Sequence, residues 1–170
     1  VISSCRGSIS ARIMPAAPLL KLPTSIDDRA AAAMMLKGLT ARYLLRACFR
    51  VERGMTVLFH AAAGGTGQIA VQWLKHLGCV VIATAGSKDK CARARALGAD
   101  HVIDYSAESF PARVKEITFG KGVKVVYDGV GKATWDGSLD CLARRGTMVS
   151  FGAASGAVPA FAPQVLSQKG

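Results

Sequence analysis

Short apolar runs alternate along the chain with longer segments whose apolar positions recur at helical spacing. Runs rich in Val, Ile and Phe predict buried strands, because β-branched and aromatic side chains suit a sheet that is covered on both faces. The predicted strands are 56–59, 80–84, 102–103, 123–127 and 147–151. The predicted helices between them are 68–74, 88–97, 106–118 and 134–142. This regular β–α–β alternation gives right-handed crossovers and therefore an α/β fold with a doubly wound parallel sheet.

A further helical region is predicted before the first strand. The acidic pair at 27–28 begins it, with Ser25 as its N-cap. Its alanines, together with Met34, Met35 and Leu36, are expected to form its buried part, and residues 38–40 are expected to interrupt it. The helical pattern then resumes, and we expect its buried face to be formed by Tyr43, Leu44 and Ala47.

The composition is that of a globular protein with a sizeable core. Of the 170 residues, 51% are hydrophobic and 19% are charged, and this length fits one domain or one domain with a piece of another. No apolar run reaches the length of a membrane span, so no membrane partner is expected. The net charge of +11 raises nucleic acid as a partner. The basic residues are scattered, however, with no run of five like charges, which argues against that partner.

The cysteines indicate neither a metal site nor a disulfide framework. Their spacing is irregular, with no C-x-x-C pair and no partnering histidine. The five cysteines are Cys5, Cys48, Cys79, Cys91 and Cys141. We interpret them as reduced thiols, which predicts a cytoplasmic protein. The three histidines are not spaced as metal ligands either, so no bound metal is expected.

A stretch of small residues, 60–67, joins the first predicted strand to the helix that follows it. Its sequence HAAAGGTG fits the G-x-G-x-x-G fingerprint at Ala62, Gly64 and Gly67, with alanine replacing the first glycine. Gly64 would let the backbone approach a diphosphate, and Gly67 would let the helix pack closely on its strand. Free N–H groups at the helix start would favour a dianionic ligand. The stretch therefore predicts a nucleotide-binding domain of the Rossmann type rather than a purely structural turn.

The end of the second predicted strand indicates which dinucleotide is bound. An acid there would bind the ribose hydroxyls of NAD(H) and repel a 2′-phosphate, but this chain has no acid at 85 or 86. Gly86 leaves room for a phosphate, and Ser87 can donate a hydrogen bond to it. Lys88 or Lys90 supplies positive charge. Both lysines could instead be ordinary surface residues, but lysine at a helix start is unfavourable, and the pattern predicts NADP(H) over NAD(H).

Other strand ends carry further candidate residues. Tyr105 follows the third predicted strand and could stack on adenine or bind the ribose phosphate, the alternative being a half-buried tyrosine at the sheet edge. Asp128 ends the fourth strand and is interpreted as a cap of the next turn, not as a catalytic base. Residues 151–153 end the fifth strand, where their backbone could meet the nicotinamide carboxamide. No catalytic residue is identified, because the cofactor carries the chemistry of hydride transfer.

Four motifs together carry a family resemblance, namely LKGLT at 36–40, HAAAGGTG at 60–67, LGAD at 97–100 and VSFG at 149–152. They resemble the zinc-free, zeta-crystallin-like quinone oxidoreductases of the medium-chain dehydrogenase/reductase family, and the resemblance covers residues 15–170. It implies hydride transfer from NADPH to a quinone. The close alternative is an NADPH-dependent reductase of enoyl or other α,β-unsaturated carbonyl substrates, and a non-catalytic NADP-binding module is a further alternative.

The resemblance also implies a division into domains. Residues 1–24 would be the end of the GroES-like catalytic domain and a connector, and residues 25–170 the NADP(H)-binding Rossmann domain. Five strands are predicted where this fold usually has about six, so we expect that a last strand is missing. That strand pairs across a dimer in the family. The full-length protein is therefore expected to be a homodimer, and this chain alone is expected to be inactive.

Site residues are implied position by position. Zinc-dependent members of the family have a cysteine ligand just before the glycine at Gly38, where this chain has Leu36 and Lys37, which implies the zinc-free branch. Thr40 matches a threonine that contacts the nicotinamide half. The pyrophosphate turn matches at Gly64, Gly65, Thr66 and Gly67. The adenosine-phosphate pocket matches at Gly86, Ser87, Lys90 and Tyr105, and the nicotinamide-side contacts match at Val130, Phe151, Gly152 and Ala153.

Overall fold

The computed structural model describes residue 13 and residues 15–169. Residues 1–12 and 14, which the predicted division assigns to the end of a catalytic domain, lie outside the described residues, and so does Cys5. The helices are α1 (Asp28–Tyr43, continued by a π-helical turn, Leu44–Cys48), α2 (Gly65–His76), α3 (Lys88–Ala96), α4 (Phe110–Ile117), α5 (Trp135–Asp140) and α6 (Gln164–Lys169). The strands are β1 (Thr56–Phe59), β2 (Val80–Ala85), β3 (His101–Asp104), β4 (Val123–Asp128) and β5 (Leu142–Ser150).

The five strands form one parallel sheet in the order β3-β2-β1-β4-β5. Strand β1 lies at its centre, with Phe59 level with Ala83 of β2 on one side and with Tyr127 of β4 on the other. The chain moves outward from β1 to β3 and then crosses back to β4, so the direction of winding reverses between β1 and β4. The predicted α/β fold with a Rossmann-type doubly wound parallel sheet is confirmed.

Alternate residues of the strands pack into two cores, one on each face of the sheet. In β1, Val57 and Phe59 join the core beneath α1 and α2, whereas Leu58 joins the core beneath α4 and α5. Likewise Val81 and Ile82 of β2 lie in opposite cores. Burial on both faces explains why these strands are continuous apolar runs instead of alternating ones.

The first helix differs from the sequence prediction at its start and along its length. Asp27, not Ser25, is the N-cap, since its Oδ1 accepts a hydrogen bond of 2.6 Å from the N–H of Ala30. The helix also continues through Gly38 without interruption. A glycine inside a helix costs about 1 kcal/mol relative to alanine, which packing of α1 against α2 offsets.

The buried face of this region was predicted correctly only in part, at Ala31 and Leu44. Met34 and Leu36 are 46% and 71% exposed, whereas the fully buried positions are Ala41, Leu44 and Leu45. These three residues are spaced i, i+3 and i+4, so they lie on one face of the helix. The helical region ends in a π-helical turn, in which the N–H of Phe49 bonds to the carbonyl of Leu44, five residues earlier. Of the predicted face, Leu44 is buried, but Tyr43 and Ala47 are exposed.

Other boundaries move by a few residues. The helix predicted from residue 106 begins only at Phe110, because Asp104 holds residues 106–108 in a turn through the N–H groups of Ser106, Ala107 and Glu108. Pro111 then occupies the first turn, where its missing N–H costs nothing. Strand β5 begins five residues earlier than predicted, with an irregular register between Val123 and Val125 of β4. Among the described residues, no helix has the length and apolar character needed to cross a membrane.

Candidate cofactor-binding site

The predicted site residues meet at the carboxyl edge of the sheet. Because all five strands are parallel, the segments that follow them emerge on the same side. In spatial order they are Tyr105 after β3, Gly86 and Ser87 after β2, residues 61–67 after β1, residues 128–131 after β4, and residues 151–153 after β5. Thr40 comes from α1, which packs against α2, and its hydroxyl donates to the carbonyl of Leu36 at 2.8 Å.

The turn after β1 is shaped by close backbone contacts. Ala61 has a φ of +50°, and its carbonyl accepts from the N–H of Gly64 at 2.8 Å. Ala62 is fully buried and donates its N–H to the carbonyl of Thr84 at 3.1 Å. A Cβ on Gly67 would lie 2.6 Å from the carbonyl oxygens of both alanines. Only glycine fits at 67, so the third fingerprint position is required for α2 to pack this closely on its strand.

The start of α2 is suited to hold an anion. Its N-cap, Gly64, has no side chain to bond the first turn, and Gly64 and Gly65 are exposed. The N–H groups of Gly65, Thr66 and Gly67 have no acceptor within the helix, as in the first turn of any α-helix. The positive end of the helix dipole adds to their attraction for a negative ligand. The first turn of α2 also contains no acid that would compete for this position.

The end of β2 forms a second cluster with Tyr105. A Cβ on Gly86 would lie 2.6 Å from the hydroxyl of Tyr105, so the end of the tyrosine side chain packs directly against this glycine. Tyr105 is 40% exposed, which leaves part of the ring accessible at the edge. Ser87 caps α3 by accepting from the N–H of Lys90 at 3.4 Å. A serine that accepts in this way still has its O–H available to donate to a ligand.

The two lysines of α3 have different surroundings. Hydrogen bonds from Ser106, and then the charge of Lys88, hold the pKa of Asp104 below its usual value. Lys88 therefore has a carboxylate of the protein itself nearby. Neither lysine forms an ion pair with any residue that the structure describes, so the difference between them is the effect of Lys88 on Asp104. This difference favours Lys90 as the charge available to a phosphate.

A buried carboxylate organises the loop after β4. Oδ1 of Asp128 accepts from the backbone N–H groups of Val130 at 2.7 Å and Gly131 at 3.0 Å. Its Oδ2 accepts from the hydroxyls of Thr134 at 2.7 Å and Ser138 at 2.8 Å. Four donors on a fully buried carboxylate satisfy its hydrogen-bonding capacity. Asp128 therefore caps the turn, in agreement with its interpretation from the sequence.

His60 extends this arrangement across the centre of the sheet. Its Nδ1 lies 2.8 Å from Oγ1 of Thr84, and its Nε2 lies 3.0 Å from Oγ of Ser138. Since Ser138 gives its only hydrogen to Asp128, it must accept from Nε2–H, and Nδ1 accepts from Thr84. Burial lowers the pKa of His60 to about 4, against the opposing charge of Asp128. The imidazole is therefore neutral at pH 7, with one defined tautomer.

The sequence reading missed this network. Phe59, Ala83 and Tyr127 are level in the sheet, so the next residue of each strand falls in one row, formed by His60, Thr84 and Asp128. A signal was available, since each of these polar residues directly follows an apolar strand residue. It becomes visible only once the register of the three strands is known.

The loops after β4 and β5 form one corner. The hydroxyl of Ser155 donates to the carbonyl of Val130 at 2.8 Å, and the N–H of Ala154 donates to that of Gly129 at 3.2 Å. The ring of Phe151 packs on that of Phe59, with centroids 5.9 Å apart. Val130, Phe151, Gly152 and Ala153 are thus brought together at one corner of the sheet.

The thiols and other candidate ligands do not form a reactive centre in the part of the chain that the structure covers. Burial raises the pKa of Cys79 and Cys91, and raises that of Cys141 to about 12, so these groups remain protonated thiols. No three His, Cys, Asp or Glu side chains of residues 13 and 15–169 are grouped as a metal site would require.

The sheet order, the glycine turn and the uncapped α2 define the class of the chain as a Rossmann-type dinucleotide-binding domain. Comparison with known proteins gives the family. The family model described as zinc-binding dehydrogenase matches residues 65–170, and the chain belongs to this family.

Named relatives support the resemblance found in the sequence. The chain is 55% identical over 152 residues to a quinone oxidoreductase of Pseudomonas aeruginosa, covering 89% of this chain and 47% of the relative. It is 50% identical over 147 residues to a 2-haloacrylate reductase of a Burkholderia species, which covers 85% of this chain and 44% of that relative. The structure of the Escherichia coli quinone oxidoreductase complexed with NADPH superposes with a TM-score of 0.85 at 53% identity. The superposition covers 88% of this chain and 46% of that chain. The resemblance to quinone oxidoreductases is confirmed, and the chain spans about half the length of the curated relatives that it matches.

Proposed function

We propose that this chain is the NADP(H)-binding domain of a zinc-independent quinone oxidoreductase that transfers hydride from NADPH to a quinone. The observation that carries the proposal is the uncapped start of α2 behind the close-packed turn at Gly67, next to a β2 end without an acid. The turn suits a diphosphate, and the neighbouring Ser87 and Lys90 suit a 2′-phosphate. Identity above 50% to quinone oxidoreductases supports the same function.

Each predicted residue receives a role in this proposal. Gly64, Gly65, Thr66 and Gly67 bind the diphosphate through their backbone. Gly86, Ser87, Lys90 and Tyr105 form the adenosine-phosphate pocket. Thr40, Val130, Phe151, Gly152 and Ala153 hold the nicotinamide half. The cofactor, when bound, supplies the hydride, and the protein binds and orients it.

The choice of cofactor is tested by titrating the chain with NADPH and with NADH. We expect NADPH to bind more tightly, because the Lys90 ammonium and the Ser87 hydroxyl, which can still donate, belong to the start of α3, next to the proposed position of the 2′-phosphate. Lys90→Glu should weaken NADPH binding at least tenfold and leave NADH binding nearly unchanged, since a charge-assisted hydrogen bond contributes about 1.5–3 kcal/mol. Lys88→Glu, on the same turn but beside Asp104, is the matched control. Tighter binding of NADH by the unmodified chain would contradict the proposal.

A second candidate is the reduction of an activated carbon–carbon double bond. It is favoured by the 50% identity to the 2-haloacrylate reductase of the Burkholderia species. Both reactions deliver hydride to a conjugated acceptor, so the same cofactor domain serves either. Oxidation of NADPH by a full-length enzyme that carries this domain, measured with a quinone and with a conjugated carbonyl, separates them. A non-catalytic NADP-binding module would bind NADPH but give no turnover with either acceptor.

We further propose that the full-length protein is zinc-free, cytoplasmic and homodimeric. Leu36 and Lys37 in place of a cysteine ligand support the absence of zinc. Cys79, Cys91 and Cys141, which are buried free thiols, support a reducing compartment. Strand β5 has one partner in the described sheet, which leaves an edge for pairing with a second copy. Metal analysis and the solution mass of the full-length protein test the first and last of these points.

A further inference from the structure

We propose that Lys37 is an additional cofactor-binding residue, whose ammonium group binds the diphosphate held at the start of α2. This assignment rests on the proposed function, because it concerns the same site. It adds a residue from α1 to a site otherwise formed by segments after the strands, and it assigns that residue to the part of the cofactor that NADPH and NADH share.

The stem of Lys37 lies across the first residue of α2. A Cβ placed on Gly65 would lie 3.1 Å from Cε of Lys37, 3.3 Å from its Cδ and 3.4 Å from its Cγ. Three consecutive carbons of the side chain therefore follow the glycine surface. The ammonium nitrogen is one bond beyond Cε, so it is held close to the start of α2, where the free N–H groups of the first turn lie.

Packing of α1 on α2 fixes this position. Ala41 and Leu44 are fully buried and share one core with Val71 of α2. Lys37 lies one helical turn before Ala41, so it projects from the same face of α1. Its backbone is therefore anchored toward α2, and its side chain reaches the exposed turn beyond the buried interface.

The charge of Lys37 has no ion-pair partner among the residues that the structure describes. The ion pairs of the described residues are Lys75 with Asp100 and Arg113 with Glu116, so Lys37 has no carboxylate partner among them. A cation beside the positive end of a helix is unfavourable, and the first turn of α2 has no acid to compensate. An anion between the ammonium and the helix N–H groups removes this conflict, because both attract it.

The roles of Lys37 and Lys90 differ in a measurable way. The diphosphate occurs in both nucleotides, so Lys37 should strengthen binding of NADPH and NADH by the same factor. The 2′-phosphate occurs only in NADPH, so Lys90 should act on that nucleotide alone. This contrast separates the two lysines without knowledge of the hydride acceptor.

The test measures dissociation constants of NADPH and NADH for the unmodified chain, Lys37→Met and Lys37→Arg. Methionine keeps an apolar stem over Gly65 but removes the charge, and we expect it to weaken both nucleotides about tenfold. Arginine keeps the charge and should retain most of the affinity. Lys121→Met, at the opposite end of the sheet beside β4, is the control for loss of one positive charge and should bind both nucleotides normally.

The outcomes separate this inference from the function on which it rests. Binding of both nucleotides by Lys37→Met with unchanged affinity would refute the role of Lys37 and leave the proposed function intact. Loss of NADPH affinity alone would refute it as well, because Lys37 would then act on the 2′-phosphate. If the unmodified chain bound neither nucleotide, the proposed function would be wrong and the assignment of Lys37 with it.

Discussion

Mild acid should destabilise this domain through one buried imidazole, that of His60. The ring is fully buried and neutral, with Nδ1 accepting from Thr84 and Nε2 donating to Ser138. A second proton on Nδ1 would meet a hydroxyl that now donates to that nitrogen. It would also place a charge in the core with no carboxylate in direct contact, since Asp128 is reached only through Ser138.

The magnitude follows from the two pKa values. The pKa is about 4 in the fold and 6.5 in the reference state, and burial causes most of the difference. Between these values the unfolded chain binds a proton that the folded chain does not, so stability falls as the pH decreases from 6.5 to 4 and this contribution is constant below. At 1.36 kcal/mol per unit, the loss is about 3 kcal/mol. That is a large part of the 5–15 kcal/mol typical of a folded domain.

Urea unfolding at several pH values between 7.5 and 4 measures this loss. Asp104 stays charged across this window, because the hydrogen bonds from Ser106 hold its pKa below the usual value. His60→Gln should lack the pH-dependent loss, while His76→Gln, which changes an exposed histidine, should retain it. An imidazole NMR titration of the unmodified chain reports the pKa of His60 directly, even if His60→Gln folds poorly. A midpoint near 6.5, or equal losses in the unmodified chain and His60→Gln, would refute the reasoning.

Two further predictions concern packing, and urea unfolding checks both. Gly67→Ala should lower the free energy of unfolding by about 1–3 kcal/mol and weaken nucleotide binding, because its Cβ would meet two carbonyl oxygens. Gly38→Ala has open space around it in α1 and should raise the free energy of unfolding by at most about 1 kcal/mol. Equal effects of the two alanines would contradict the close contact at Gly67. Leu45→Ala should cost about 2–5 kcal/mol, since the side chain is fully buried, whereas Leu36→Ala should change stability by less than about 0.5 kcal/mol. A large loss from Leu36→Ala would show that the exposed face of α1 is covered in solution.

The three central strands, β1, β2 and β4, could be predicted because they are buried on both faces. Val80 to Ala85, for example, contains no polar residue except Thr84, and such a run has few alternatives to a central parallel strand. The glycine turn was equally accessible, because its spacing reflects backbone contacts that are local to 61–67. Both predictions rest on short-range constraints, which are contained in the sequence itself.

The first helix could not be predicted in the same way. Its apolar residues Met34, Leu36 and Leu39 are exposed, so apolar character does not mark the buried face. The buried face is formed largely by small residues, with Ala31 and Ala41 as its buried positions. The π-helical turn after Tyr43 then breaks the 3.6-residue period on which the prediction depends.

The row formed by His60, Thr84 and Asp128 could be recognised only from the register of the three central strands. His60 is the first residue of the HAAAGGTG motif, whereas Thr84 and Asp128 belong to no recognisable motif, and all three lie close in sequence to segments with a proposed binding role. His60 precedes the diphosphate turn, and the carbonyl of Thr84 accepts a hydrogen bond from the N–H of Ala62 in that turn. The carboxylate of Asp128 accepts from the N–H of Val130 on the proposed nicotinamide side. Because Ser138 bonds both His60 and Asp128, the two halves of the proposed cofactor site share one buried network. A change at His60 should therefore disturb the proposed nicotinamide side as well as the diphosphate turn, although the imidazole itself is fully buried.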